Sequence, residues 1–418
     1  MEVKRDIREE IEGHLSQKEI TLITGARQVG KTTLLENLEA ALRGRDKRVL
    51  LLNLDIDSHR PYFKSQELLL QKINLELGES GYVFLDEIQR LDDAGLFLKG
   101  LYDRKLPFKF VVTGSGSTEL KEKIHESLMG RKRIFEMMPV SFREFVHYKT
   151  EYHYETKTEQ FFEVEKEKTL VLLQEYLNFG GYPRVVTEKL QGEKQKIMAE
   201  ILSSYVEKDL VYLLKLERPE VFQQMIRILA AQTGGLVNFT QLASQVHVSV
   251  PTLKKYLWYA EKTFCLSLVT PWFSNKLKEI TRAPVYYFND LGLRNSALNM
   301  MGRLTENQQM GFIFQNFVFL LLKELAGKQN WNIHYWRTTD KAEVDFVLDK
   351  GNELLPVEVK FGELKKPTIS RSFRSFIEKY SPPEAWIVNR GLDAQLRVND
   401  TMVNFLPFYR LCLGKESF

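Results

Sequence analysis

Gly25-Ala26-Arg27-Gln28-Val29-Gly30-Lys31-Thr32, followed by Thr33, decides the fold of this 418-residue chain. The segment satisfies the phosphate-loop pattern G-x-x-x-x-G-K-[ST], the Walker A motif, at every constrained position. Its glycines let the backbone curl so that successive N–H groups face the α- and β-phosphates of a nucleotide, and the next helix adds its positive N-terminal end. Lys31 then reaches the β/γ-phosphates, and the Thr32 hydroxyl is placed to ligate Mg²⁺.

The flanks supply the context the motif requires. Ile20-Thr21-Leu22-Ile23 reads as a β-branched strand, and Thr33-Leu34-Leu35-Glu36-Asn37-Leu38 carries apolar residues at helical spacing. Further on, Tyr82-Val83-Phe84-Leu85-Asp86-Glu87 is an apolar strand that ends in two carboxylates. Asp86 is the expected Mg²⁺ residue, acting through the ion's water shell, and Glu87 the expected general base for an attacking water. A second carboxylate at that point argues for hydrolysis over transfer to a small acceptor.

A third strand, Phe108 to Thr113, runs into Gly114-Ser115-Gly116-Ser117, making Thr113 or Ser115 a candidate sensor of the γ-phosphate or of the water. The strand Arg48 to Asp55 also ends in polar residues, with Asp55 expected to cap the loop that follows. Arg131, in Gly130-Arg131-Lys132-Arg133, is a candidate to stabilise transition-state charge, within its own subunit or across to a neighbour. Ser141 with Glu144 three residues on is a capping box that starts a helix.

Together with Leu85-Asp86-Glu87-Ile88-Gln89, Thr113-Gly114-Ser115, Pro139-Val140-Ser141-Phe142-Arg143-Glu144-Phe145 and Gly180-Gly181-Tyr182-Pro183, the glycine loop resembles a known group. It is similar to the bacterial and archaeal P-loop ATPases of the AAA superclass, close to their signalling-type branch, that carry an uncharacterised C-terminal domain. That resemblance implies a five-stranded parallel sheet with an additional strand between the P-loop strand and the Asp-Glu strand, and a helical lid after the core. Apolar residues crowded between Phe161 and Phe179, and an amphipathic run from Ile197 to Leu216, suit the lid.

Residues 226–300 carry the pattern of a winged helix-turn-helix. Gln223 to Ala231 and Phe239 to Ala243 are helical, and Pro251 to Leu257 is the recognition-helix position, capped at Ser249 or Val250. Leu266-Ser267-Leu268-Val269 and Val285-Tyr286-Tyr287-Phe288 make the wing, with Lys276, Lys278 and Arg282 between them as candidate phosphate contacts. Lys254 and Lys255 are the only charges on the recognition helix, so DNA and a protein surface are both candidate partners.

In the last quarter, the strand around Asp345 and its hairpin partner with Glu358-Val359-Lys360 resemble the metal-binding core of the restriction-endonuclease-like fold. Period-two spacing puts Glu358 and Lys360 on one face, so Asp345 and Glu358 form a candidate second metal site. Such nucleases usually add a helix glutamate, and this chain has Gln315 at that position. A neutral amide there removes one metal-neutralising charge and favours a degenerate domain used for binding.

Composition bounds the rest. Fifty-nine basic against fifty-five acidic residues leave a formal charge of +4, so nucleic-acid binding would need a local patch. Cys265 and Cys412 are too far apart in sequence for a disulfide framework or a metal-ligand pair. Met1 to Lys4 reads as the start of an amphipathic helix with no signal-peptide core, no apolar run suggests a membrane span, and a cytoplasmic protein is expected.

The expected architecture is α/β: a P-loop core over 1–150, a helical lid over 151–225, the winged helix over 226–300 and a restriction-endonuclease-like domain over 301–418. The expected activity is Mg²⁺-dependent ATP hydrolysis that switches the C-terminal domains. The alternatives are a slow-ATPase scaffold for DNA or a protein partner and, behind it, a metal-dependent nuclease. An oligomer is compatible with each.

Overall fold

The computed structural model describes residues 1–115, 127–207, 216, 218–273, 283–304 and 310–413. Its N-terminal unit is a five-stranded, fully parallel sheet in the order β2-β3-β4-β1-β5. The strands are β1 (Ile20–Gly25), β2 (Val49–Asn53), β3 (Gly81–Asp86), β4 (Phe108–Ser115) and β5 (Lys132–Met137). β4 separates the phosphate-loop strand from the Asp-Glu strand, as the resemblance implies.

β1 is buried along its whole length because helices cover both faces of the sheet. Alternation divides the side chains. Ile23, Phe84 and Val111 pack with Ile11 and Leu34, Leu35 and Leu38 of helices Ile7–His14 and Lys31–Arg43. Leu22, Val83 and Val112 face Leu69, Ile73 and Leu98 of helices Gln66–Leu77 and Ala94–Asp103.

Residues 1–5 are not helical, contrary to the reading from sequence; the first helix starts at Ile7. Arg5 is held instead as a clamp. Its guanidinium donates to Val29 O at 2.9 Å and Met138 O at 2.6 Å and pairs with Glu144 at 3.1 Å. Glu144 also accepts from Asp6 N at 2.7 Å and closes the capping box with Ser141 that starts helix Phe142–Lys149.

The segment expected as a lid begins with helices Thr158–Val164 and Lys166–Phe179, so the apolar region after Phe161 is two helices broken at Glu165, not one. Helices Pro183–Thr187 and Gln191–Ser204 follow. The second amphipathic run thus starts before Ile197, and residues 208–215 of it lie outside the described ones.

Gly180 and Gly181 join these pairs of helices at a crowded point. Gly181 N donates to Asp290 Oδ2 at 2.7 Å, and its carbonyl accepts from Val140 N at 2.7 Å. Tyr176 donates its hydroxyl to Val140 O at 2.7 Å. Core, lid and the segment after the wing therefore meet at one peptide.

Helices Pro219–Ala231, Phe239–Gln245 and Val250–Lys262 form a three-helix unit where the winged helix is expected, the last two capped by Asn238 and Ser249. Its wing pairs β6 (Leu266–Pro271) with β7 (Val285–Phe288), Leu266 opposite Phe288 and Val269 opposite Val285. Lys276, Lys278 and Arg282 lie outside the described residues. β6 continues beyond the hairpin and pairs in parallel with β8 (Asn332–Arg337), so one eight-stranded sheet crosses the boundary expected at residue 300.

That sheet also contains β9 (Glu343–Asp349), β10 (Leu354–Lys360), β11 (Glu384–Asn389), β12 (Ala394–Val398) and β13 (Thr401–Pro407). Helix Met310–Gln329 is long and apolar enough to cross a bilayer by length and composition, and 67% of that stretch is buried inside the protein. Phe317 stacks edge-on to Phe142 at 5.4 Å, and Phe408 to Phe142 at 5.7 Å, so the core, lid and C-terminal sheet share one aromatic cluster. Cys265 and Cys412 are buried free thiols.

Gly181 has no room for a side chain, because a β-carbon would stand 2.2 Å from Val140 O. Gly181→Ala should destabilise the chain by about 1–3 kcal/mol through overpacking. The check is the midpoint of denaturant unfolding; a midpoint equal to wild type would remove this junction from the account.

Candidate nucleotide site

The carboxyl edge of the parallel sheet assembles the groups that the sequence pointed to. β1 ends at Gly25, the loop turns through Gln28 (φ 59°) and Gly30 (φ 96°), and helix Lys31–Arg43 begins. Only glycine adopts the second of these angles without strain. The first N–H groups of that helix have no carbonyl within it to bond, which makes its N-terminus an anion cradle. Lys31 is buried, and its ammonium donates to Gly25 O at 3.1 Å and Ala26 O at 2.8 Å, folded over the loop it would share with phosphate.

Asp86, at the end of β3, is fully buried and surrounded by donors. Its Oδ2 accepts from Thr32 Oγ1 at 2.8 Å and Asn53 Nδ2 at 2.9 Å, and its Oδ1 from the Thr113 hydroxyl and from Glu87 N. Thr32 and Asp86 thus bring two hard oxygen donors together beside the phosphate loop, a set that fits Mg²⁺. Thr113 also accepts from Glu87 N at 3.3 Å, so it sits between the two carboxylate residues.

Glu87 occupies the left-handed region (φ 58°), which turns its side chain out of the strand path. Burial pushes its carboxyl above the usual range; Asp86 adds to this, while Lys31, Gln89 and Arg27 work against it. Gln89 donates its amide to Glu87 Oε2. A cleft of about 1010 Å³ adjoins the loop, lined by Val3, Arg5, Gly30, Thr33, Asn37 and Pro183 among others, large enough for a nucleoside.

Other expected residues are placed differently. Ser115 pairs through its backbone with Gly25, and its side chain lies outside the described part. Arg131 is not brought to the site in its own subunit. It precedes β5, and the register that sets Lys132 opposite Ile20 and Met137 opposite Gly25 leaves it about 20 Å from the loop, at the other edge of the sheet. There it pairs with Asp103 at 2.8 Å. Asp55 bonds Arg90 at 2.7 Å rather than joining the phosphate end.

Three residues at the site escaped sequence reasoning. Asn53 reaches Asp86 because the two are directly opposite in the β2–β3 ladder. Arg5 grips the loop carbonyl of Val29. Arg184, from the lid helix Pro183–Thr187, donates to Gln28 Oε1 at 3.3 Å and bridges to Glu200 at 3.4 Å, bringing a guanidinium to the phosphate loop. Its only local signal is its place one residue after Gly180-Gly181-Tyr182-Pro183.

The second constellation is also assembled, but closed. Gln315 Nε2 donates to Asp345 Oδ1 at 3.0 Å, and Val359 N to Asp345 Oδ2 at 2.7 Å. Glu358 is held by Lys360 at 2.7 Å and by Ser370 Oγ at 3.1 Å. All four carboxylate oxygens accept from protein donors. Among the described residues no group of three or more His, Cys, Asp or Glu side chains converges. With the neutral Gln315 amide facing Asp345 and no third acidic side chain converging among the described residues, two carboxylates alone are a poor match to a divalent nuclease metal site. On the recognition helix, Lys254 lies 5.2 Å from the Phe239 ring and Lys255 5.6 Å from the Tyr259 ring.

Residues 17–146 match the family described as an AAA domain; 170–304 and 310–411 match two families described as domains of unknown function. An uncharacterized protein of Mycobacterium tuberculosis is 26% identical over 404 residues, covering 96% of this chain and 82% of its own. One of Methanocaldococcus jannaschii is 26% identical over 386 residues, covering 89% and 82%. Among solved structures, AMPPCP-bound DnaA from Aquifex aeolicus superposes with a TM-score of 0.29 at 13% identity over 62% of this chain and 86% of its own. Cdc6p from Pyrobaculum aerophilum gives 0.28 at 12% identity over 71% and 92%.

Burial pushes the Asp345 carboxyl up to about 7, with the Glu358 charge adding to it. A carboxyl raised in the folded state binds its proton there more tightly than in the unfolded chain, so stability should fall as pH rises from about 4 to about 7. Unfolding midpoints compared at both ends of that window should show this fall in wild type and lose it in Asp345→Asn. Parallel profiles for the two proteins would contradict it.

Proposed function

We propose that this chain, an AAA-type P-loop protein by its residues 17–146, hydrolyses ATP with Mg²⁺ and uses the turnover to reposition its lid and C-terminal sheet. The observation that carries the reading is the meeting of Lys31, Thr32, Asp86, Thr113 and Glu87 at one sheet edge. In it, Lys31 and the N-terminal amides of helix Lys31–Arg43 neutralise the β/γ-phosphates. Thr32 and Asp86 would hold Mg²⁺, which would supply charge neutralisation when bound. Glu87 takes the proton of the attacking water, and its raised basicity suits that task. Thr113 keeps Asp86 and the Glu87 backbone in fixed relation.

Arg184 is the lid's contribution. A guanidinium 3.3 Å from Gln28 answers to the charge on the phosphates, and it lies three residues beyond Gly181, whose peptide is bonded to both Val140 and Asp290. Loss of the γ-phosphate changes the pull on Arg184. The change passes along a short, bonded path to the start of helix Leu291–Ala297 and the adjoining wing.

A second reading, a slow ATPase that acts as a nucleotide-dependent scaffold for DNA or a protein, is favoured by one contact. Gln89 occupies an oxygen of Glu87, and a base engaged in that way turns over slowly until a partner releases it.

Glu87→Gln should retain ATP and slow turnover about 100-fold or more; turnover at the wild-type rate would remove Glu87 from the mechanism. Arg184→Gln should weaken ATP binding about 10-fold while leaving ADP binding nearly unchanged. Equal weakening of both nucleotides, measured by calorimetry, would show that Arg184 does not sense the γ-phosphate.

A further inference from the structure

Residues 360–374 carry five basic side chains, Lys360, Lys365, Lys366, Arg371 and Arg374, against one acidic, Glu363, an excess equal to the formal +4 of the whole chain. The fold concentrates them. The loop leaves the carboxyl end of β10 and returns to it, because Ser370, the N-cap of helix Arg371–Tyr380, donates to Glu358 Oε2 at 3.1 Å. Arg390 joins the same edge. It follows Asn389 of β11, which pairs with Lys360, and its guanidinium lies 4.9 Å over the Phe361 ring.

Lys365, Lys366, Arg371 and Arg374 are exposed, and no hydrogen bond or ion pair engages their side chains among the described residues. Unpaired positive charge held together in this way raises the local potential and is relieved by a polyanion. The carboxyl edge of parallel strands is also where open α/β sheets take their ligands.

We propose that this edge binds the phosphate backbone of a nucleic acid without cutting it. The choice among polyanions comes from what the segment hides. Protein interfaces and interfacial membrane binding rely on exposed apolar anchors. No large hydrophobic residue of this segment is exposed: Phe373 is fully buried, and Phe361, Leu364 and Ile369 are partly covered. The proposal is for binding alone, because the neutral Gln315 amide faces Asp345 and no third acidic ligand joins Asp345 and Glu358 among the described residues. The recognition helix of the winged-helix unit offers only Lys254 and Lys255 before its last turn, each over an aromatic ring, and is the weaker candidate. This inference goes beyond ATP hydrolysis and does not depend on it.

The test uses the full chain and fluorescence anisotropy with a labelled DNA duplex and a labelled single strand across a salt series. Binding should weaken with salt at a logarithmic slope of about −4 for the duplex or about −3 for the single strand, the values for four to five phosphate contacts. The form bound more tightly identifies the natural ligand's strandedness. The combined variant Lys365→Gln, Lys366→Gln and Arg371→Gln should lose about 10-fold or more in affinity and flatten the slope by about 3, with ATP turnover unchanged as the control for folding. Lys254→Glu with Lys255→Glu should bind within a few-fold of wild type. Three results would each overturn the proposal: no salt-dependent binding to either probe, loss of binding confined to the Lys254/Lys255 variant, or capture by phosphatidylserine vesicles with neither nucleic acid bound. ATP turnover is read separately, so failure here leaves the ATPase reading standing and failure there leaves this one.

Discussion

A carboxylate with no exposed surface must be matched by donors, and the way Asp86 is matched organises the site. Its partners come from four places: Thr32 from the loop helix, Asn53 from β2, Thr113 from β4 and the Glu87 backbone from its own strand. Removing any one leaves a buried charge short of a hydrogen bond, which costs more than the bond itself contributes. The carboxyl edge of the sheet is therefore held rigid, and Glu87, one residue further and in a left-handed turn, inherits a fixed direction.

Rigidity at that edge gives meaning to what is attached around it. Arg5 ties the N-terminal segment to Val29 and to the capping box of helix Phe142–Lys149, and the peptide of Gly181 joins Val140 of the core to Asp290 beyond the wing. Burial pushes the Asp290 carboxyl up to about 6, against the three backbone N–H groups that favour its ionised form. In the proposed cycle the lid does not swing freely. It pivots at a junction where backbone from three parts of the chain is already bonded, next to an aromatic cluster those parts share.

Much of this was legible because it is local. The glycine loop, the Asp-Glu strand end, the Ser141/Glu144 capping box, the Ser249 cap and the β6–β7 wing all depend on residues a few positions apart or on a simple period. What escaped depends on register. Asn53 and Asp86 are neighbours only because β2 and β3 align Val49 with Tyr82, and Arg131 looks close to the phosphates until parallel pairing sets it at the entry of β5 instead of its exit. Likewise, Thr270 and His334 are 64 residues apart, and their pairing, which merges the wing with the C-terminal sheet, leaves no local mark. The helix reading of Met1 to Lys4 failed for a related reason, since a tertiary clamp on Arg5 overrode an amphipathic pattern.

In the proposed cycle the phosphate loop and the C-terminal sheet are coupled through the Gly180–Gly181 junction. Backbone hydrogen exchange, compared between the ATP-bound Glu87→Gln protein and the same protein with ADP, addresses this coupling directly. Protection should change together in the loop around Gly30, in residues 180–187 and in helix Leu291–Ala297. A change confined to the loop, with the junction and that helix exchanging alike in both states, would contradict it.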